Sequence, residues 1–289
     1  MLNAKLKFPA KRHKVLAFRL QPSAFAWSAF TLVELLVVIS ILGILAYLTM
    51  PALKNWSKSD ATISASRQLL DDVGRARQLA ISQRTTVYMV FVPTNFWSGD
   101  ANAFLATLPT PAQQTAATNL CDKQLTGYTF VSLRMVGDQP GQGVPRYLAP
   151  WQNLPDGAFI ALAKFTNSAA QYYTITDPVS GAAYKIYGFT NMAVPFPTAD
   201  APHVQMPCIA FNYLGQLTVD GVNLAPLDEY IPLAKGSISL ARDSATRALQ
   251  LAPPDVMEMP PGNSTGPSYN IVHVDRLTGR AVLEFEKMQ

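Results

Sequence analysis

From Leu35 to Leu53 the chain runs 19 residues without a charge. As a helix this run would extend about 28 Å at roughly 1.5 Å per residue. That approaches the ~30 Å hydrocarbon core of a bilayer. Residues 1–29 before it hold Lys5, Lys7, Lys11, Arg12, Lys14 and Arg19 and no acid. The rest of the chain has 17 basic against 19 acidic residues, so the net charge of +4 belongs to the leader. A basic body that coats nucleic acid is therefore not indicated. The positive-inside rule places the leader in the cytoplasm and the body across the membrane. A secretory signal would end in small residues after the apolar run. Pro51-Ala52-Leu53-Lys54-Asn55-Trp56 stands there instead, so the segment is expected to remain in the mature chain.

Glu34 interrupts the apolar stretch, with Phe30 to Val33 uncharged before it. A carboxylate inside an apolar helix costs on the order of 3 kcal/mol on insertion scales, unless it sits near the helix end and reaches the interface. The segment Ala29-Phe30-Thr31-Leu32-Val33-Glu34-Leu35-Leu36-Val37-Val38-Ile39 resembles the cleavage and methylation signature of type IV pilins and type II secretion pseudopilins. The resemblance implies cleavage by prepilin peptidase between Ala29 and Phe30, then N-methylation of Phe30. Ala29 stands where the family usually has Gly; both are small. Glu34 becomes the fifth residue of the mature chain. Its implied role is an assembly charge pair with the Phe30 amine of a neighbouring subunit, where an unpaired charge would be costly. Pro51, near the end of the run, is read as a helix kink, or as the end of the membrane helix.

From Lys54 to Arg84 the pattern stays helical and becomes amphipathic, with Ile63, Leu70, Val73, Ala76 and Ala80 as the apolar stripe. β-branched and aromatic runs follow, beginning at Val87–Val92 and ending in a hairpin of Ile271–Asp275 and Ala281–Phe285. Between these, strands are expected at Tyr128–Leu133, Phe159–Phe165, Tyr172–Thr176, Tyr184–Phe189, Cys208–Tyr213, Ser237–Leu240 and Ala248–Leu251. Phe96–Leu120 and Pro253–Ser268 read as loops. The expected fold class is α+β: a long N-terminal helix, membrane-spanning half plus amphipathic half, packed on an antiparallel β-rich globular head in the pilin manner. The expected division is 1–29 cleaved leader, 30–53 transmembrane and assembly helix, 54–84 amphipathic helix, and 85–289 periplasmic head.

Arg67-Gln68-Leu69-Leu70, Arg75 to Ile81, Ile209 to Gly215 and Asp275 to Arg280 resemble minor pseudopilins of the GspH and FimT type. The implied function is that of a minor pseudopilin, a methylated single-pass inner-membrane protein with a periplasmic head, assembling into a pseudopilus for type II secretion. The implied partners are prepilin peptidase, other pilins or pseudopilins, an inner-membrane assembly platform and membrane lipid. A minor pilin of type IV pili, with DNA uptake, is the alternative within the family. From another class comes a signal-anchored binding or enzyme module that never assembles.

Catalytic signatures do not emerge. The sequence has no Walker loop, no His-Glu-x-x-His and no Gly-x-Ser-x-Gly. His203 with Cys208 lacks a third member for nucleophilic chemistry. Asp71-Asp72 reads as a solvated helix face. Asp177, Asp220, Asp228 and Glu229 lie near turns without the spacing of a calcium loop. No enzyme activity, cofactor or metal is expected. Nucleic acid is an unlikely partner, because Arg276, Arg280 and Lys287 alternate with Asp275, Glu284 and Glu286. Cys121 and Cys208, the two thiols, either close a disulfide or stay free and buried; the sequence leaves both open.

Overall fold

The computed structural model describes residues 31–97, 99–139, 141–168, 170–178, 180–266 and 269–285, with backbone alone for 48–60 and 285. The chain divides into two units, Met1–Pro51 and Ala52–Gln289. Helix α1, Leu32–Gln83, contributes to both.

The second unit is β-rich. Strands β1 (Val87–Phe91) and β2 (Gly127–Ser132) pair antiparallel, and β1 also pairs with β9 (His203–Phe211). Short strands β3 (Arg146–Tyr147) and β4 (Gln152–Asn153) extend β2; β8 (Thr190–Pro195) and β10 (Leu217–Thr218) extend β9. These seven strands form one curled antiparallel sheet, open like half a barrel. A second sheet is built on β11 (Glu229–Ser239), which pairs in turn with β13 (Asn270–Val274), β5 (Ala158–Ile160) and β12 (Asp255–Glu258). β14 (Ala281–Phe285) closes the terminal hairpin on β13. β6 (Tyr172–Thr176) and β7 (Ala183–Tyr187) form a separate hairpin.

Side chains alternate across a strand, and β1 shows why its sequence is continuously apolar. Val87, Met89 and Phe91 face a core that includes α1 residues Ala65, Leu69, Val73, Ala76 and Ala80. Tyr88 and Val90 face a second core with Phe96, Trp97, Phe104 and Phe196. The sheet is therefore buried on both faces. Helices α2 (Ala101–Thr107) and α3 (Pro111–Asn119) cover the second face. Asp100 caps α2 and Thr110 caps α3 through hydrogen bonds from backbone amides. Tyr128 Oη donates to Asp72 Oδ2 at 2.5 Å and accepts from Gln68 Nε2 at 2.7 Å, and Arg77 Nε donates to the Thr278 carbonyl at 2.7 Å. These bonds fix the α1 register on the sheet.

Several expectations need correction. No helix among the described residues is long and apolar enough to cross a membrane. The single-pass inner-membrane placement and the membrane-spanning half of the fold class are overturned by this finding. The head is a half-barrel sheet, a second sheet and a hairpin, with short helices apart from α1.

The buried stripe on α1 is Ala65, Leu69, Val73, Ala76 and Ala80, whereas Ile63 is 48% exposed. Asp72 is tied to Tyr128 rather than only solvated. The segment read as a loop over Phe96–Leu120 holds α2 and α3, because four large apolar residues there, Phe96, Trp97, Phe104 and Leu108, find a core to enter. β12 lies within the other expected loop. Ala248–Leu251 forms only one bridge, Arg242 to Leu249. The strand expected at Phe159–Phe165 stops at Ile160 and turns into helix α4 (Ala163–Thr166).

Candidate assembly segment and interior sites

The first unit contributes an apolar helix whose described side chains, 32–47, are exposed. Leu32 is 80% exposed and Ile44 62%, and Leu35, Leu36, Ile39, Ile41, Leu42 and Leu45 are all more than half exposed. Soluble monomers rarely leave a contiguous apolar patch of more than a few hundred Å² open. Thr31 stands immediately before the helix, and its Oγ1 accepts from the Glu34 backbone amide at 3.2 Å. Thr31-x-x-Glu34 thus has the spacing of a capping box, a reading that the cleavage signature concealed. The Glu34 carboxylate lies exposed in the first turn, where the helix dipole favours negative charge.

Ala29 and Phe30, the expected cleavage and methylation positions, lie outside the described residues, as do the leader and Lys287. Pro51 is within α1 and marks the last residue of the first unit.

Cys121 and Cys208 are both free and both buried, in the core covered by α2 and α3. Burial raises the Cys121 thiol to about 11 and the Cys208 thiol to about 12, so both are protonated and unreactive at neutral pH. His203 is exposed and Cys208 buried on one strand, five residues apart. At roughly 3.4 Å per residue the separation is about 17 Å, too far for a nucleophile pair.

No group of three metal-ligating side chains occurs among the described residues. The turn acids are occupied separately. Asp220 accepts from Val222 and Asn223 amides at 2.9 and 2.7 Å, which hold its carboxyl below the usual range. Asp228 Oδ1 accepts from the Arg276 amide at 2.9 Å, and Oδ2 lies 3.3 Å from His273 Nε2. Arg276 in turn donates from its guanidinium to the Pro226 carbonyl at 2.7 Å.

Glu229 forms an ion pair with Lys164 that the sequence reading missed. Lys164 is 1% exposed, donates to the Tyr187 carbonyl at 2.6 Å, and sits 4.7 Å from the Phe189 ring centre. Burial lowers the Lys164 ammonium and raises the Glu229 carboxyl, and each partner opposes the shift of the other. The one signal in the sequence was a lysine inside the apolar run Phe159-Ile160-Ala161-Leu162-Ala163-Lys164-Phe165.

Glu229 also lines a cavity of about 260 Å³. β8 reaches Cys208 and β10 begins at Ala210, both on the β9 edge opposite β1. Ile209 has no partner on that edge, and the cavity opens at this gap, with Asp228 and Glu229 on its wall. Both carboxylates are already engaged, so the cavity presents a largely apolar surface.

No family model, no curated protein and no solved structure matches the chain.

Proposed function

We propose that this chain is a pilin-like structural subunit, cut by prepilin peptidase before Phe30, N-methylated there, and assembled as a minor pseudopilin into a pseudopilus for type II secretion. The observation that supports this is the exposed apolar helix of the first unit, headed by Thr31 and Glu34. Such a surface is stable in a bundle of equivalent helices, where each segment covers its neighbours by apolar burial at roughly 25 cal/mol per Å². The residues that precede Glu34 match the signature of proteins that assemble in this way. The second unit, folded around its own cores, is the part such a bundle would display.

A photoreactive amino acid at Ile39, on the exposed face, tests the reading. In cells that make the cognate filament, the expected adduct joins this chain to another pilin-like subunit identified by mass spectrometry. The same probe at exposed Asp71 in the second unit serves as the control. Adducts of Ile39 with no pilin-like chain would contradict the proposal.

A further inference from the structure

A cleft of about 470 Å³ lies along one edge of β11, where the pairing with β5 ends. Successive peptide groups of a strand point to opposite edges. Toward β5, the Pro232 carbonyl accepts from the Ala161 amide at 3.0 Å, and the Gly236 amide donates to the Gly157 carbonyl at 3.0 Å. On the opposite edge the Lys235 carbonyl accepts from the Met259 amide at 2.8 Å. Ile238 is the next residue in step with Pro232 and Gly236, so its amide and carbonyl point to the β5 edge. No strand meets them there. Gly157 takes a φ of 93°, which favours glycine, and the turn over Pro155–Ala158 takes the chain off this edge. β12 places Val256 opposite Ile238 on the other edge, away from these groups. Among the described residues the Ile238 amide and carbonyl have no hydrogen-bond partner. Ile238 lines the cleft, with Ser237 and Leu240 beside it.

Asp122 and Asp156 also line the cleft, and both are exposed. Among the described residues neither carboxylate is in an ion pair, and no basic residue lines the cleft. Leu154 and Phe159 add apolar surface. An open strand edge presents a donor and an acceptor, and a second extended backbone presents the complementary pair. Two carboxylates without a counter-charge favour a cationic side chain on that backbone and repel acidic peptides and nucleic acid. We infer that the β11 edge at Ile238 is a docking site for an extended peptide segment carrying a lysine or arginine, which adds to the sheet as a short strand. The edge from Ser237 to Leu240 is about 10 Å long at roughly 3.4 Å per residue, which fits about three residues of the segment. The inference is independent of filament assembly.

The test is NMR-detected amide exchange in the full-length protein, titrated with the capped pentapeptide Thr-Val-Lys-Val-Thr. One comparison peptide has Glu in place of Lys; another keeps Lys and has its three central amides N-methylated. Exchange at the Ile238 amide should slow saturably with the Lys peptide, far less with the Glu peptide, and not at all with the N-methylated one. The double variant Asp122→Asn with Asp156→Asn changes two exposed side chains and should keep the fold. Its affinity for the Lys peptide should fall about five-fold, the value of two surface charge contacts. No protection of Ile238 by the Lys peptide, equal binding of either comparison peptide, or unchanged affinity in the double variant would overturn the assignment. Protection of Ile238 that rises with protein concentration alone would give the edge to a second copy of this chain and also overturn it.

Discussion

Lys164→Met destabilises the body by about 3–5 kcal/mol, the usual cost of removing one member of a buried ion pair. Lys164 is almost wholly buried, and its ammonium answers both Glu229 and the Tyr187 carbonyl. Methionine fills the volume of the stem, so little of the loss is cavity formation. The loss comes from the Glu229 carboxylate, left beside an apolar cavity with no counter-charge. For a body of this size each kcal/mol moves the midpoint by roughly 2–4 °C, so thermal unfolding should shift down by about 6–20 °C. The double replacement Lys164→Met with Glu229→Leu should recover much of that, because an apolar pair of similar volume carries neither desolvation cost. A single variant within about 1 kcal/mol of wild type, or a double variant no better than the single, would show that the pair carries little of the stability.

The second large effect concerns Glu34 and follows from the proposed function. Glu34→Leu is expected to abolish incorporation into the filament, because the Phe30 amine of the neighbouring subunit loses its counter-charge within an apolar bundle. The free-energy loss is again about 3–5 kcal/mol per contact. The capping interaction offers a competing cause, since Glu34 occupies the third position of the helix after Thr31. Thr31→Ala removes the cap at a cost of roughly 1 kcal/mol and leaves the charge in place. It should still assemble. Glu34→Gln keeps the capping geometry, loses the charge, and should fail like leucine. Crosslinking yield from position 39 reads all three variants. If Thr31→Ala fails and Glu34→Gln assembles, the helix cap, and not the charge, is what assembly needs.

The sequence made some parts of this molecule legible through their periods. The continuous apolar run Val87–Val92 and the hairpin expected from Ile271–Asp275 and Ala281–Phe285 marked β1 and the end of the chain, and both form. The three-and-four spacing of α1 identified Val73, Ala76 and Ala80, but it offered Ile63 where the packed residues are Ala65 and Leu69. Small alanines are weak signals, although only small residues let the helix lie close to the sheet.

Long-range partners were illegible. Nothing local distinguishes Thr190–Pro195 as a strand; it becomes one because β9 presents an open edge. Phe96–Leu120 read as a loop from its Ala, Thr and Pro content, yet its capped helices cover a sheet face that must be buried. The interior sites were hidden for the same reason. Lys164 and Glu229 are 65 residues apart. The membrane span drawn from the uncharged run Leu35–Leu53 was the largest overreach, because no helix among the described residues is long and apolar enough to cross a membrane.

The proposal of a processed filament subunit is tested most directly by the N-terminus of the assembled protein. The chain is produced with its prepilin peptidase, recovered from sheared filaments, and digested, and the N-terminal peptide is sequenced by mass spectrometry. The expected peptide begins with Phe30 carrying one methyl group on its amine, followed by Thr31-Leu32-Val33-Glu34. A peptide that retains Ala29 and the residues before it, in protein recovered beside active peptidase, would contradict the account.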